Sequence, residues 1–141
     1  MKKVLYFIIV LTTLYLSGCK SDSKDDPLAP SAADERDQFV GTWLCNETSK
    51  SLPATAYTIT ISKSTTNSTD IIINKFYDLL TQARATVNSN KTTIPYQSLT
   101  GLGFASGTGT LSASGNNLYM NYIVKIASND NDTCTANCVK Q

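Results

Sequence analysis

The chain contains no histidine. Histidine is the commonest general base, the usual partner that activates a serine or cysteine nucleophile, and a frequent zinc ligand. Serines are numerous, but none lies in a G-x-S-x-G motif. We therefore expect no catalytic residue, no metal site and no cofactor, and we predict that the protein is not an enzyme.

Charged residues are also scarce, at 16% of the chain, and the formal net charge is +1. The sequence has no basic stripe, so a nucleic-acid partner is not expected. Asp130 and Asp132 are the only neighbouring acids in the second half of the chain. They lack the glycine and the distal glutamate of an EF-hand, so we interpret the segment that holds them, with Asn129 and Asn131, as a polar loop.

Only one long hydrophobic run is present, the 13 residues from Val4 to Leu16. It is shorter than the roughly 20 residues that span a bilayer, and two lysines precede it. These features predict a signal peptide at residues 1–18. The run ends in Leu16-Ser17-Gly18-Cys19, which resembles a bacterial lipoprotein box. The resemblance implies cleavage before Cys19 and attachment of acyl chains, palmitate among them, which would anchor the protein to a membrane.

Residues 19–38 are polar, acidic and proline-containing, which is typical of a flexible linker. Within this segment, Ser31–Gln38 is predicted to form a short helix with Ser31 as its N-cap. The acidic residues that follow Cys19 are similar to the sorting signals of some Gram-negative lipoproteins. This similarity implies a lipid-anchored protein of the outer membrane, on its periplasmic face or at the cell surface.

Residues 39–141 read as one all-β domain. About eight strand-like segments alternate apolar and polar residues and are separated by turn residues. An even number of strands lets the first and last strands pair, so we predict a small antiparallel up-and-down barrel. The predicted strands are 39–48, 56–63, 71–76, 84–87, 92–97, 104–113, 118–126 and 133–140, and residues 77–82 are ambiguous.

The start of this domain, Val40-Gly41-Thr42-Trp43, resembles the G-x-W opening of lipocalins and related calycins. Short segments spread over nearly all of residues 39–141 are similar to small lipocalin-like domains of Gram-negative lipoproteins. They are 57–62, 85–87, 93–95, 107–112, 118–122 and 134–136. The resemblance implies an eight-stranded barrel in which Trp43 plugs one end.

Three cysteines follow Cys19, namely Cys45, Cys134 and Cys138. Outside the cytoplasm a disulfide is expected. Cys134 and Cys138 are four residues apart, so on one strand their side chains share a face (the same strand parity), and either could face Cys45. The resemblance favours Cys45–Cys134, because the related domains place a cysteine just before the Thr-Ala of the last strand. Cys45–Cys138 is the alternative, while Cys134–Cys138 would span about 13 Å of extended strand.

Two functions from different classes fit this fold. A lipid-anchored binding module would hold a small apolar or amphipathic ligand at the end opposite Trp43, and we expect its lining to include Tyr57, Ile59, Met120 and Tyr122. The alternative is a non-enzymatic interaction module with a filled barrel, whose loops contact a protein or a glycan. Small inward residues such as Ala85 and Gly107 suit both, because they either leave room for a ligand or let a narrow barrel pack.

Overall fold

The computed structural model describes residues 33–126 and 131–141. The predicted signal peptide, Cys19 and Ser31 lie outside these residues. Eight strands make up most of the described chain, which confirms the all-β prediction. They are β1 (Gly41–Ser49), β2 (Thr55–Lys63), β3 (Asp70–Asn74), β4 (Gln82–Asn88), β5 (Lys91–Leu99), β6 (Gly103–Leu111), β7 (Asn117–Ile126) and β8 (Asn131–Lys140).

Each strand pairs antiparallel with the next along the chain, and β8 pairs with β1 to close a barrel. This is the predicted up-and-down topology, and it is compatible with a lipocalin-like fold. Closure gives every strand a neighbour on both sides, so the sheet has no edge strand. In the described part of the chain, no helix is long and apolar enough to cross a membrane.

The barrel core follows from the alternation of side chains along each strand. In β1, for example, Trp43, Cys45 and Glu47 are buried, and the residues between them are exposed. Successive side chains of a strand point to opposite faces, so every second residue enters the interior. The interior therefore combines large apolar side chains with a few polar ones, such as Glu47, that occupy the same alternating positions.

The cross-link between the barrel's first and last strands joins Cys45 and Cys138. The favoured prediction, Cys45–Cys134, is therefore wrong, and the alternative pairing is the one observed. The reason is register: Cys45 lies directly opposite Cys138, whereas Cys134 lies opposite Ser49. Four residues of extended strand separate these two positions by about 13 Å, so Cys134 is out of reach of Cys45. Cys134 is a buried free thiol.

The segment before β1 covers one end of the barrel, which we call the closed end. It forms a single 3₁₀ turn at Glu35–Gln38, shorter than the predicted helix, and Asp34 caps it by accepting from the Arg36 backbone N–H. Trp43 is fully buried at this end and donates from Nε1 to the Phe39 carbonyl at 2.9 Å. Lys140 Nζ lies 5.3 Å from the centre of the Trp43 ring and donates to the Gln38 carbonyl.

Candidate ligand-binding site at the barrel mouth

The barrel end opposite Trp43, which we call the mouth, is shaped by the β1–β2 loop and by the connection between β3 and β4. This connection contains a 3₁₀ turn at Phe76–Asp78. Lys75, Tyr77 and Asp78 have φ values of 57°, 59° and 54°. Residues other than glycine rarely adopt this left-handed backbone conformation, and it costs free energy at each position.

The irregular backbone turns two aromatic side chains into the barrel. Phe76 is 1% exposed, and its ring centre lies 4.6 Å from that of Tyr122 on β7. Tyr77 is also buried and reaches Asp132 on β8. The contacts of these two aromatic rings offset the cost of the left-handed backbone, because burial of aromatic surface is strongly favourable. The β3–β4 connection thereby becomes one wall of the mouth.

A buried carboxylate lies below this wall. Glu47 on β1 is 4% exposed, and its Oε2 accepts hydrogen bonds from the hydroxyls of both Tyr57 and Tyr122. The two hydroxyl oxygens are 3.4 Å apart. Burial, reinforced by Glu47, raises the pKa of Tyr57, and burial together with Tyr57 and Glu47 raises the pKa of Tyr122. Both tyrosines therefore stay protonated and serve as donors to Glu47.

A second buried carboxylate, Asp132, lies on β8. Its oxygens accept from Ser49 Oγ at 2.5 Å, from the Tyr77 hydroxyl at 2.5 Å and from the Ser51 backbone N–H at 2.9 Å. Burial alone would raise its pKa, but these hydrogen bonds outweigh burial and lower the pKa to about 2. The prediction of a polar loop is thus wrong for Asp132, which lies inside the barrel, while Asp130 lies outside the described residues.

Cys134 lies near both carboxylates, but its environment does not favour a reactive thiol. Burial raises its pKa to about 12, and the negative charges of Glu47 and Asp132 act in the same direction. A neutral thiol is a poor nucleophile and a poor metal ligand. Across residues 33–126 and 131–141, no three histidine, cysteine, aspartate or glutamate side chains come together as a metal site would require.

Above Glu47, a pocket of about 400 Å³ opens between the β1–β2 loop and the β3–β4 connection. Its walls are mostly apolar, and its polar groups come from two acids, a tyrosine and a threonine. The lining residues are Glu47, Leu52, Pro53, Ala54, Thr55, Tyr77, Asp78 and Leu79. Such a combination of apolar walls and a few convergent polar groups is typical of a small-molecule site.

The four predicted lining residues all face the barrel interior but are not part of this lining. Tyr57, Ile59, Met120 and Tyr122 are each at most 5% exposed. The hydroxyls of Tyr57 and Tyr122 donate to Glu47, which does line the pocket. Ile59 and Met120 belong to the hydrophobic core. Their role in binding a ligand stays a prediction.

The small residues of β6 show why the deeper interior is packed. Gly107 lies opposite Tyr122, and Gly109 lies opposite Met120. A Cβ added to Gly107 would overlap the Tyr122 backbone, and one added to Gly109 would come within 2.5 Å of Thr92 Oγ1 and 3.4 Å of Met120. Gly107 therefore allows β6 and β7 to approach closely, and Gly109 makes room for the side chains of Thr92 and Met120.

Sequence reasoning missed Glu47, Tyr77 and Asp132 as components of the site. For two of them a signal was present, because Glu47 has the parity of Trp43 and Cys45, and Asp132 has the parity of Cys134 and Cys138. Strand parity places both carboxylates inside the barrel. Tyr77 gave no such signal, since its position depends on the left-handed backbone of the β3–β4 connection.

No protein-family model matches the chain, and no curated protein matches it.

Proposed function

We propose that this protein is a membrane-tethered, lipocalin-like binding module that holds a small amphipathic ligand at the barrel mouth. The observation that carries the proposal is the pocket of about 400 Å³ above Glu47. Ligand pockets typically measure about 300–1,000 Å³, so the pocket suits a small molecule.

The arrangement of the pocket supports an amphipathic ligand. Leu52, Pro53 and Leu79 offer an apolar surface near solvent, and the polar groups of Glu47 and Tyr77 share the same lining. A ligand with both an apolar and a polar part satisfies both surfaces at once. Since Met120 and Tyr122 occupy the interior below, the ligand is bound at the mouth and not along the barrel axis.

The tether rests on the sequence. Lys2 and Lys3, the apolar run and Leu16-Ser17-Gly18-Cys19 favour a lipoprotein with acyl chains on Cys19, located in the outer membrane. The Cys45–Cys138 disulfide is consistent with a location outside the cytoplasm, because structural disulfides persist in oxidising compartments. A soluble ligand-binding domain on such an anchor would act at a membrane surface.

Binding of 1-octanol, a small neutral amphiphile, tests the proposal. We expect the protein without its first 18 residues to bind octanol, with chemical-shift changes in NMR spectra confined to the mouth. Ala54→Trp places a large side chain in the pocket and should weaken binding at least about tenfold. The matched control is Ala113→Trp, because Ala113 is also exposed but lies in the β6–β7 loop at the closed end.

Failure of the parent protein to bind octanol or a charged analogue of the same chain length would overturn the proposal. Equal binding by the Ala54→Trp variant would also contradict it, because the ligand would then lie elsewhere.

The second candidate function is an interaction module with loops that contact a protein or glycan. The packed interior around Gly107 and Gly109 favours it, and a folded protein that binds no amphiphile would leave it as the better account.

A further inference from the structure

Glu47 is a buried acidic side chain without a basic partner in the described part of the chain. The ion pairs among the described residues involve Asp34, Asp37, Asp70 and Asp78, and none involves Glu47. Both tyrosine hydroxyls donate to Oε2, and no donor to Oε1 is found among the described residues. Oε1 is not fully buried, since Thr81 Oγ1 is the one fully buried side-chain atom without a partner among the described residues. Oε1 is therefore a free acceptor that is open at the pocket floor.

The two charged residues that line the pocket, Glu47 and Asp78, are both acidic. Asp78 lines the rim, and Asp132 lies behind Tyr77. No lysine or arginine is among the residues that line the pocket. Lys75 Nζ lies 3.8 Å from Asp78 Oδ1 at an exposed position, so it offsets the charge of Asp78 and leaves Glu47 as the lining carboxylate without a basic partner. The pocket is therefore negative and unfavourable for a fatty acid or another anion.

We propose that the pocket selects an amphipathic organic cation, with an ammonium group bound to Glu47 and an alkyl or aryl part against Leu52, Pro53 and Leu79. The inference rests on the proposed function, since it specifies the ligand class of the same pocket.

The chemistry of an ammonium group matches what the pocket offers. A primary ammonium carries three N–H donors and no acceptor, so it can donate to the free Oε1 without disturbing the two tyrosine hydrogen bonds to Oε2. Tyr77 lies in the same lining, and tyrosine rings attract cations. The apolar walls then favour an organic cation over a strongly hydrated metal ion, which gains nothing from them.

Three ligands of one chain length test the inference: octylammonium, 1-octanol and octanoate, each titrated by calorimetry at neutral pH. We expect octylammonium to bind at least about tenfold more tightly than octanol, because a hydrogen bond to a charged group is worth more than one between neutral groups. Octanoate should bind most weakly. Glu47→Gln keeps the side-chain shape and an acceptor for the tyrosines, and it should abolish the preference for octylammonium.

Asp37→Asn is the matched control, because it removes an exposed carboxylate at the closed end, outside the pocket lining, and should keep the preference. Equal affinities of the parent for octylammonium and octanol would overturn the inference and leave the proposed function intact. If none of the three ligands bound, both would fail. Displacement of octylammonium by millimolar calcium with direct calcium binding at Glu47 would also contradict an organic cation.

The comparison of the three ligands in the parent protein needs no variant, so the inference stays testable if Glu47→Gln fails to fold. In that case, NMR shifts of the Glu47 side-chain carboxyl on titration with octylammonium replace the variant. A shift that saturates with binding supports the inference, and an unchanged carboxyl signal on binding contradicts it.

Discussion

Glu47 and Asp132 are both buried acids at the mouth, yet their partners differ. Asp132 accepts hydrogen bonds from Ser49, Ser51 and Tyr77 on both oxygens, whereas the described donors to Glu47 reach one oxygen only. Asp132 therefore joins the β1–β2 loop and the β3–β4 connection to β8 and has a structural role. Glu47 keeps an acceptor for a ligand. Under the proposed function, the same residue class thus serves stability at one position and recognition at the other.

Asp132 should make the stability of the protein depend on pH in the acidic range. Its folded-state pKa of about 2 lies below its ordinary value near 3.9, so its carboxylate stabilises the folded state above about pH 4. This contribution, of the order of 2 kcal/mol, is lost as the pH falls from about 4 to 2. Asp132→Asn should lower the free energy of unfolding at neutral pH and flatten its pH dependence in this window, as measured by urea unfolding.

Hydrogen bonds also lower the pKa of Asp70, and Arg36 lowers that of Asp34, so the parent and the variant will both lose stability in acid. The difference between the two curves isolates Asp132. Asp78→Asn removes one exposed carboxylate and controls for the change in net charge. An Asp132→Asn variant with the same pH dependence as the parent would contradict the role given to these hydrogen bonds.

At the scale of elements, the contact between β1 and β8 closes the barrel. The register places Cys45 opposite Cys138, and the disulfide fixes this register covalently across 93 residues of chain. Glu47 lies on the same strand, two residues beyond Cys45 and opposite Ala136. The cross-link thereby also fixes the strand that carries the pocket floor.

Loss of this cross-link should destabilise the fold more than loss of the free cysteine. The double variant Cys45→Ala/Cys138→Ala should lower the free energy of unfolding by about 2–4 kcal/mol, because the unfolded chain is no longer constrained. Cys134→Ala removes a buried thiol without removing a cross-link and should cost less, about 1 kcal/mol. Chemical unfolding of the three proteins under oxidising conditions gives the comparison. Non-reducing peptide mapping that joined Cys45 to Cys134 would refute the observed pairing.

At the scale of the whole molecule, the two ends of the barrel differ in what covers them. The N-terminal 3₁₀ turn closes one end through Arg36, which donates to the carbonyls of Ser64 and Asn67, and through Gln38, which donates to Ser89. The other end keeps a pocket between two connections. A smaller pocket of about 170 Å³ lies beside the 3₁₀ turn at the closed end, so the mouth is the roomier of the two ends.

The proposed tether gives a prediction for the intact protein. Cys19→Ala removes the only proposed site of lipidation, so the protein should leave the membrane fraction or accumulate as an uncleaved precursor, because stable anchoring needs the acyl chains. Membrane fractionation and mass spectrometry measure both outcomes. Cys134→Ala is the matched control, since it changes another cysteine and should stay with membranes. A processed Cys19→Ala protein that still fractionated with membranes would contradict lipidation as the anchor.

Alternation of apolar and polar residues determined most of the fold. In β2, the sequence Tyr57-Thr58-Ile59-Thr60-Ile61 specifies both a strand and its buried face, and the structure places these residues accordingly. The even number of such segments then predicted closure. Strand parity is a local property of the chain, and sequence therefore determines it without knowledge of the partner strand.

Register and irregular backbone were decided only by the tertiary structure. Parity allowed either Cys134 or Cys138 to face Cys45, and the pairing of β1 with β8 selected Cys138. The left-handed residues around Tyr77 are stable because Phe76 and Tyr77 are buried against other strands, which no local pattern shows. The pocket depends on both, because Asp132 of β8 holds the β1–β2 loop at Ser51 and the β3–β4 connection at Tyr77. Local patterns thus specify strands and faces, whereas contacts between distant segments create the site.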